Sequence, residues 1–155
     1  MPSPTAASNV IHVSGDLFSA PRGAILVHAC NTQGAWGSGI AAAFKKRYPE
    51  EFQVYRTCCK DRGASLLGTC LLIRGVNNSG HDIACLFTSR AYGKRKDSPE
   101  EILAATRNAL MDLVAQKEDN KALHGCRFNS GRFAVPWEST EQVIRELDVS
   151  MTIYA

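Results

Sequence analysis

Apolar residues appear first in a short β-rich run, "NVIHV", broken by "SGDLF". A longer run, "GAILVHAC", follows, and its unbroken apolar character fits a strand buried on both faces. Beyond the glycine-rich "NTQGAWGSG" the period changes: Ile40, Ala43, Phe44 and Tyr48 recur at helical spacing and form one inner stripe. Pro49 ends that helix and seeds another, with Phe52, Tyr55 and Cys59 facing inward and Gly63 as its left-handed cap. "LGTCLLI" and "DIACLFT" read as two strands around the Asn/Ser/Gly turn in "RGVNNSGH". "DSPEEILAATRNALMDLVAQK" carries the clearest helix signal. Ser98 is its N-cap, Pro99 its first residue and Glu101 the partner in a capping box, with Ile102, Thr106, Ala109, Leu110 and Leu113 inside. After a polar surface loop, "KEDNKALHG", come a short strand "CRFN", a second glycine turn "NSGRFAVPW", a helix "STEQVIREL" capped by Ser139 and Gln142, and a last strand "MTIYA". The order ββααββαβαβ predicts an α/β domain whose mixed sheet is covered by helices, without internal repeats or a second domain.

Composition narrows this picture in three places. With 155 residues, 45% of them hydrophobic, the chain is long enough for one domain with a real core. A net charge of +3 suits a phosphate-bearing ligand but falls short of the density that marks a dedicated nucleic-acid binder. Six cysteines (Cys30, Cys58, Cys59, Cys70, Cys85, Cys126) stand mostly in apolar runs without zinc-type spacing, which predicts buried free thiols in a reducing compartment and no metal site. No stretch approaches the ~18 apolar residues of a membrane span, and "MPSPTAASN" lacks the apolar core of a secretory signal. The expectation is a non-secreted, cytoplasmic or nuclear monomer, with residues 1–8 disordered and the domain over 9–155.

Two loops after strands carry glycines, "GAWGSG" and "NSGRF". Ligands of open α/β sheets lie beyond the carboxyl ends of the strands, and such loops present backbone N–H groups to an anion. A diphosphate held between them suits both, although either could serve only as a tight turn. "GSGIAA" matches the G-x-G-x-x-A of a dinucleotide-binding fold, but it stands six residues past the second strand instead of at the end of the first. No G-K-[ST] follows the glycines, which excludes the phosphate loop of NTPases.

"VSGDLF", "ILVHACNTQGAWGSGIAAAFKKRYP", "IACLFTS", "NSGRFAVPWE" and "MTIYA", in this order, resemble a macrodomain, the ADP-ribose-binding module, over nearly the whole chain after residue 9. Within that family the chain is most similar to the fungal ADP-ribose 1''-phosphate phosphatases. The resemblance implies a three-layer α/β/α sandwich around a central mixed six-stranded sheet, and ADP-ribose or its 1''-phosphate as ligand. It implies no cofactor, no membrane and no obligatory nucleic acid. It gives Asp16 the adenine amino group and Asn31 the hydroxyls of the distal ribose, and makes Trp36 a wall for that sugar. Leu17, Gly37, Ser38, Gly39, Ile40, Thr88, Ser89 and Asn129 are expected in contact with the ligand. Ser130, Gly131, Arg132 and Phe133 fall in the second diphosphate loop.

Hydrolysis of a phosphomonoester needs the phosphate held, its charge offset, and an activated water or a nucleophile. His28, near the carboxyl end of the second strand and three residues before Asn31, is the expected catalytic residue with Asn31, as general acid or base or as nucleophile. A buried histidine satisfied by backbone is the plain alternative. A related macrodomain branch uses a lysine and an aspartate to release ADP-ribose from glutamate side chains. Those positions fall here on Ser89 or Arg90 and on Phe133, so the resemblance favours the phosphatase. A binding module that reads ADP-ribose, or removes it weakly from modified protein, is the alternative. "GKRKD", residues 93–97, is the densest basic cluster and reads as a solvated loop that can steer an anion.

Overall fold

The computed structural model describes residues 9–75 and 80–155. The expected disorder of residues 1–8 and the tip of the Asn/Ser/Gly turn, residues 76–79, lie outside them. The strands are β1 (Val10–Val13), β2 (Ile25–Asn31), β3 (Cys70–Ile73), β4 (Asp82–Ser89), β5 (Leu123–Cys126) and β6 (Met151–Tyr154). The helices are α1 (Gly39–Arg47), α2 (Pro49–Arg62), α3 (Pro99–Gln116) and α4 (Trp137–Glu146), and their order along the chain is the one the hydrophobic pattern predicts.

The strands form one six-stranded sheet in the order β1-β6-β5-β2-β4-β3. Only the β3–β4 pair is antiparallel; β1, β6, β5, β2 and β4 run parallel. Their carboxyl ends therefore share one edge, and the loops that leave β1, β2, β4 and β5 gather there.

Strand alternation divides the core into two layers of different chemistry. One face of the sheet turns Ile25, Val27, Ala84 and Leu86 toward Ala109, Leu110 and Leu113 of α3 and Val143 and Ile144 of α4. The other turns Leu26, Cys30, Ile83, Cys85 and Phe87 toward Phe44 of α1 and Phe52, Tyr55 and Cys59 of α2. The result is an α/β/α sandwich. The Ser98–Glu101 capping box forms in both directions, and Pro99 opens α3 as expected. None of the described helices is long and apolar enough to cross a membrane.

Four local expectations are corrected. Strand β5 is Leu123–Cys126 rather than 126–129, so the preceding surface loop is shorter. Close packing decides its place: Gly125 pairs with Val27 and Ile153, and a Cβ there would come within 3.1 Å of Met151 Sδ and 3.4 Å of the Val27 carbonyl oxygen. Helix α4 begins at Trp137 with Pro136 as its cap, and no Ser139 side chain caps it. Gly63 has φ 54° but ψ −139°, outside the left-handed helical region, and leads into a 3-10 turn over Gly63–Leu66. Ile40 leaves the inner stripe of α1 and is 38% exposed, lining a cleft instead of the core.

Candidate functional site

A cleft of about 730 Å³ opens at the carboxyl edge, over the ends of β2 and β5. One wall is the β2–α1 loop with the start of α1, from Ala35 to Ala41; the other is the segment Arg127 to Phe133. Tyr92, in the loop after β4, closes one end.

The first wall hangs from Asn31. Its Oδ1 accepts from the N–H groups of Gln33 (2.9 Å) and Ala35 (3.3 Å), and its Nδ2 donates to the Ala35 carbonyl at 2.9 Å. The Tyr55 hydroxyl donates to the Asn31 carbonyl at 2.8 Å. The second wall hangs from Asn129, which is buried and has φ 69°. Its Oδ1 accepts from the Thr88 hydroxyl at 2.9 Å, while its Nδ2 donates to Thr106 (2.9 Å) and Thr140 (3.3 Å).

Between these anchors the walls are left open. Among the described residues the backbone N–H groups of Gly37, Ser38 and Gly39, and of Gly131, Arg132 and Phe133, donate to no backbone carbonyl. The side chain of Ser38 makes no capping bond, so the first turn of α1 also keeps its amides and the positive end of its dipole for a ligand. A Cβ built on Gly37, Gly39 or Gly131 meets nothing within 4 Å. That empty space is where a ligand can approach the backbone. The charged residues of the cleft lining are Arg127 and Arg132, with no carboxylate and no imidazole among the described lining residues. Such a lining draws in a polyanion.

Gly37, Ser38, Gly39, Ile40, Ser130, Gly131, Arg132 and Phe133 stand in the cleft where they were expected. Asn31, Trp36 and Asn129 line it too, but their side chains are occupied elsewhere. Trp36 is 1% exposed and stacks on Tyr55 at 4.7 Å, so it supports the loop from beneath instead of facing a sugar. Thr88 and Ser89 do not line the cleft. Thr88 holds Asn129, and the Ser89 hydroxyl donates to the Ala91 carbonyl and accepts from the Asp97 N–H. Leu17 is buried in the core. Asp16 lies outside the cleft lining, on the loop after β1 at the same sheet edge. One of its carboxylate oxygens accepts from the Phe18 N–H at 3.0 Å and the other lies 3.9 Å from Arg47.

His28 stands furthest from its expected place. It is fully buried, stacked on Phe44 at 4.0 Å with 9° between the planes and set edge-on to Trp36 at 4.9 Å. Side-chain alternation puts it on the α1/α2 face with Leu26 and Cys30; of these three, Cys30 lines the cleft and His28 does not. The imidazole is not among the residues that line the cleft. Its polar neighbours are Cys30 and Cys85. Burial raises the Cys30 thiol, but hydrogen bonding with Cys85 and the electrostatic and hydrogen-bonding influence of His28 outweigh it and leave the thiol below its usual range. This cluster escapes a reading of spacing, because Cys85 lies on a different strand.

The sequence reading also missed Tyr92, Cys126 and Arg127. The first is an aromatic residue 54% exposed beside the basic turn Gly93–Arg95, a signal visible in "SRAYGKRK". Burial pushes the Cys126 thiol up to about 12, which keeps this part of the cleft floor uncharged. Arg90 is held in place: its Nε lies 3.1 Å from buried Asp97 and its Nη2 2.9 Å from Glu101, fixing the loop that carries Tyr92.

The Macro domain family profile matches residues 27–144. The chain belongs to the macrodomain family. An ADP-ribose 1''-phosphate phosphatase of Chaetomium globosum is 45% identical to this macrodomain over 88% of the chain and 82% of its own length. One from Neosartorya fischeri is 36% identical over 99% and 97%. Among solved structures, the macrodomain of Mycobacterium tuberculosis DarG superposes with a TM-score of 0.73 at 31% identity, covering 94% of this chain and 96% of its own. The matched region contains both cleft walls and the buried asparagines that hold them.

Proposed function

We propose that this macrodomain hydrolyses the 1''-phosphomonoester of ADP-ribose, taking up one water and releasing ADP-ribose and inorganic phosphate. The observation that carries the reading is the pair of open amide-bearing walls, lined by cationic but not anionic side chains, in a chain 45% identical to a relative of that name. The diphosphate lies between the amides of residues 37–39 and those of 131–133. Asp16, on the same edge, takes the adenine end through the oxygen not used by Phe18. The distal ribose and its phosphate extend past Asn31 toward Tyr92. Phosphoryl transfer through a loose transition state depends mainly on positioning and charge stabilisation, which free amides, a helix terminus and two arginines supply. His28 has no part in the chemistry of this scheme, and Asn31 acts by shaping the wall. The exposed Lys94 and Arg95 raise the local concentration of the anion without touching it.

The test is phosphate release from ADP-ribose 1''-phosphate, compared between the wild type, Gly37→Val and Gly131→Val. A valine at either site fills the space meant for the ligand while leaving the fold alone. The expected result is release by the wild type and at least a tenfold drop in each variant, with melting temperatures within a few degrees. ADP-ribose binding without phosphate release would make the protein a reader; undiminished release in both variants would place the reaction elsewhere.

A further inference from the structure

A second cluster of reactive side chains adjoins the cleft: Cys30 belongs to the cleft lining, and His28 and Cys85 stand outside it. Parallel pairing of β2 with β4 sets His28 opposite Cys85, and alternation along β2 turns Cys30 to the same face. Ligand atoms of His28, Cys30 and Cys85 all lie within 4.8 Å of one another, and all three residues are buried. Cys30 Sγ stands 3.7 Å from His28 Nδ1 and 3.6 Å from Nε2. Metal bonds of ~2.3 Å to sulfur and ~2.0–2.1 Å to imidazole nitrogen place those two atoms about 3.6 Å apart in a tetrahedral shell, or about 3.8 Å in a trigonal one. This edge of a coordination polyhedron is already at its bound length.

The same cluster is badly placed for a disulfide. Cys30 and Cys85 are two residues out of register on neighbouring strands, which puts their Cα atoms about 8 Å apart from the ~3.3 Å rise and ~4.8 Å strand spacing. That exceeds the ~7 Å a disulfide spans without backbone movement. A further observation concerns Trp36. Its Nε1–H is buried without a hydrogen-bond partner, on a ring whose centroid lies 4.9 Å from that of His28. A metal-bound thiolate retains lone pairs and offers the acceptor this donor lacks.

The geometry points to a buried site with three protein ligands for one divalent thiophilic ion of the Zn²⁺ class, held by Cys30, Cys85 and the imidazole of His28. Two thiolates and an imidazole favour such an ion over Mg²⁺ or Ca²⁺. Charge balance supports a divalent ion: two thiolates cancel its charge, so the buried complex is neutral. Uptake takes both sulfurs as thiolates and the imidazole through a neutral nitrogen, and the protons these groups carried leave to solvent. The ion ties β2 to β4 directly under the loop that begins at Asn31, and its role is to stiffen the cleft floor. This inference does not depend on the phosphatase reading.

Titration of reduced, chelator-treated full-length protein with Co²⁺ tests it. One equivalent produces thiolate-to-cobalt charge-transfer absorption, which Zn²⁺ abolishes by competition, and Zn²⁺ raises the melting temperature by mass action. Cys30→Ser and Cys85→Ser each weaken binding by about 100-fold or more, whereas Cys58→Ser on α2 leaves it unchanged. X-ray absorption of the Zn²⁺-loaded wild type requires no variant to fold and shows two sulfurs and one nitrogen. A shell of nitrogen and oxygen alone, no charge-transfer band, or a band that survives both cluster substitutions overturns the proposal.

Discussion

Each wall of the cleft is organised by one asparagine at a strand end, and the two work differently. Asn31 ties its loop to itself: its side-chain bonds run to Gln33 and Ala35, with the Tyr55 hydroxyl brought in from α2. The Asn129 side chain bonds to nothing nearby in sequence except Thr140. Its partners come from β4, α3 and α4, and its backbone sits at φ 69°. One loop is a local fold of the chain, while the other is pinned where three elements meet. A local anchor can fail without disturbing the core, but a junction cannot.

The largest expected effect is therefore at the junction. Asn129→Ala leaves the Thr88 hydroxyl buried without its acceptor, removes the donor to Thr106 and Thr140, and puts an alanine at positive φ. The sum is a loss of about 3 kcal/mol in urea or thermal unfolding. A loss below about 1 kcal/mol would show that the threonines re-pair among themselves and that the contrast between the walls is false.

Asn31→Ala comes second, at about 1–2 kcal/mol, since the Tyr55 hydroxyl keeps the Asn31 carbonyl and the amides of Gln33 and Ala35 can find water. Its larger consequence is for the ligand. With the loop untied, ADP-ribose affinity falls more than stability does, and isothermal titration beside denaturation measures both. Equal losses in the two wall variants, in both readouts, would erase the difference.

The legibility of the fold follows the same division between local and distant causes. The order of elements could be read because hydrophobic period, Pro49, Pro99 and the Ser98–Glu101 box act within a few residues. The glycine walls could be read for the same reason. What escaped depends on register. The place of β5 is set by Gly125 fitting between Val27 and Met151, and the burial of His28 by Phe44 arriving from α1. Thr88 and Ser89 read as ligand contacts but stand outside the cleft lining, bonded to Asn129 and Asp97 on other segments. The sequence thus discloses which loops are shaped, and the tertiary partners decide which side chains in them remain free.

The smallest predicted effect has the opposite sign and probes the backbone of the second wall alone. Ala134 closes that wall at φ 59°, where its Cβ crowds the backbone, and its N–H already donates to the Gly131 carbonyl at 3.0 Å. Ala134→Gly relieves a strain of about 1–2 kcal/mol in the folded state. It also frees the unfolded chain, which costs about 0.4–1 kcal/mol. The net expectation is a gain of about 0.5 kcal/mol, read as a small rise in the urea midpoint at unchanged slope. A destabilised Ala134→Gly would mean that the methyl group contributes packing the wall needs, and that strain at this turn is not what separates it from the glycine-built wall across the cleft.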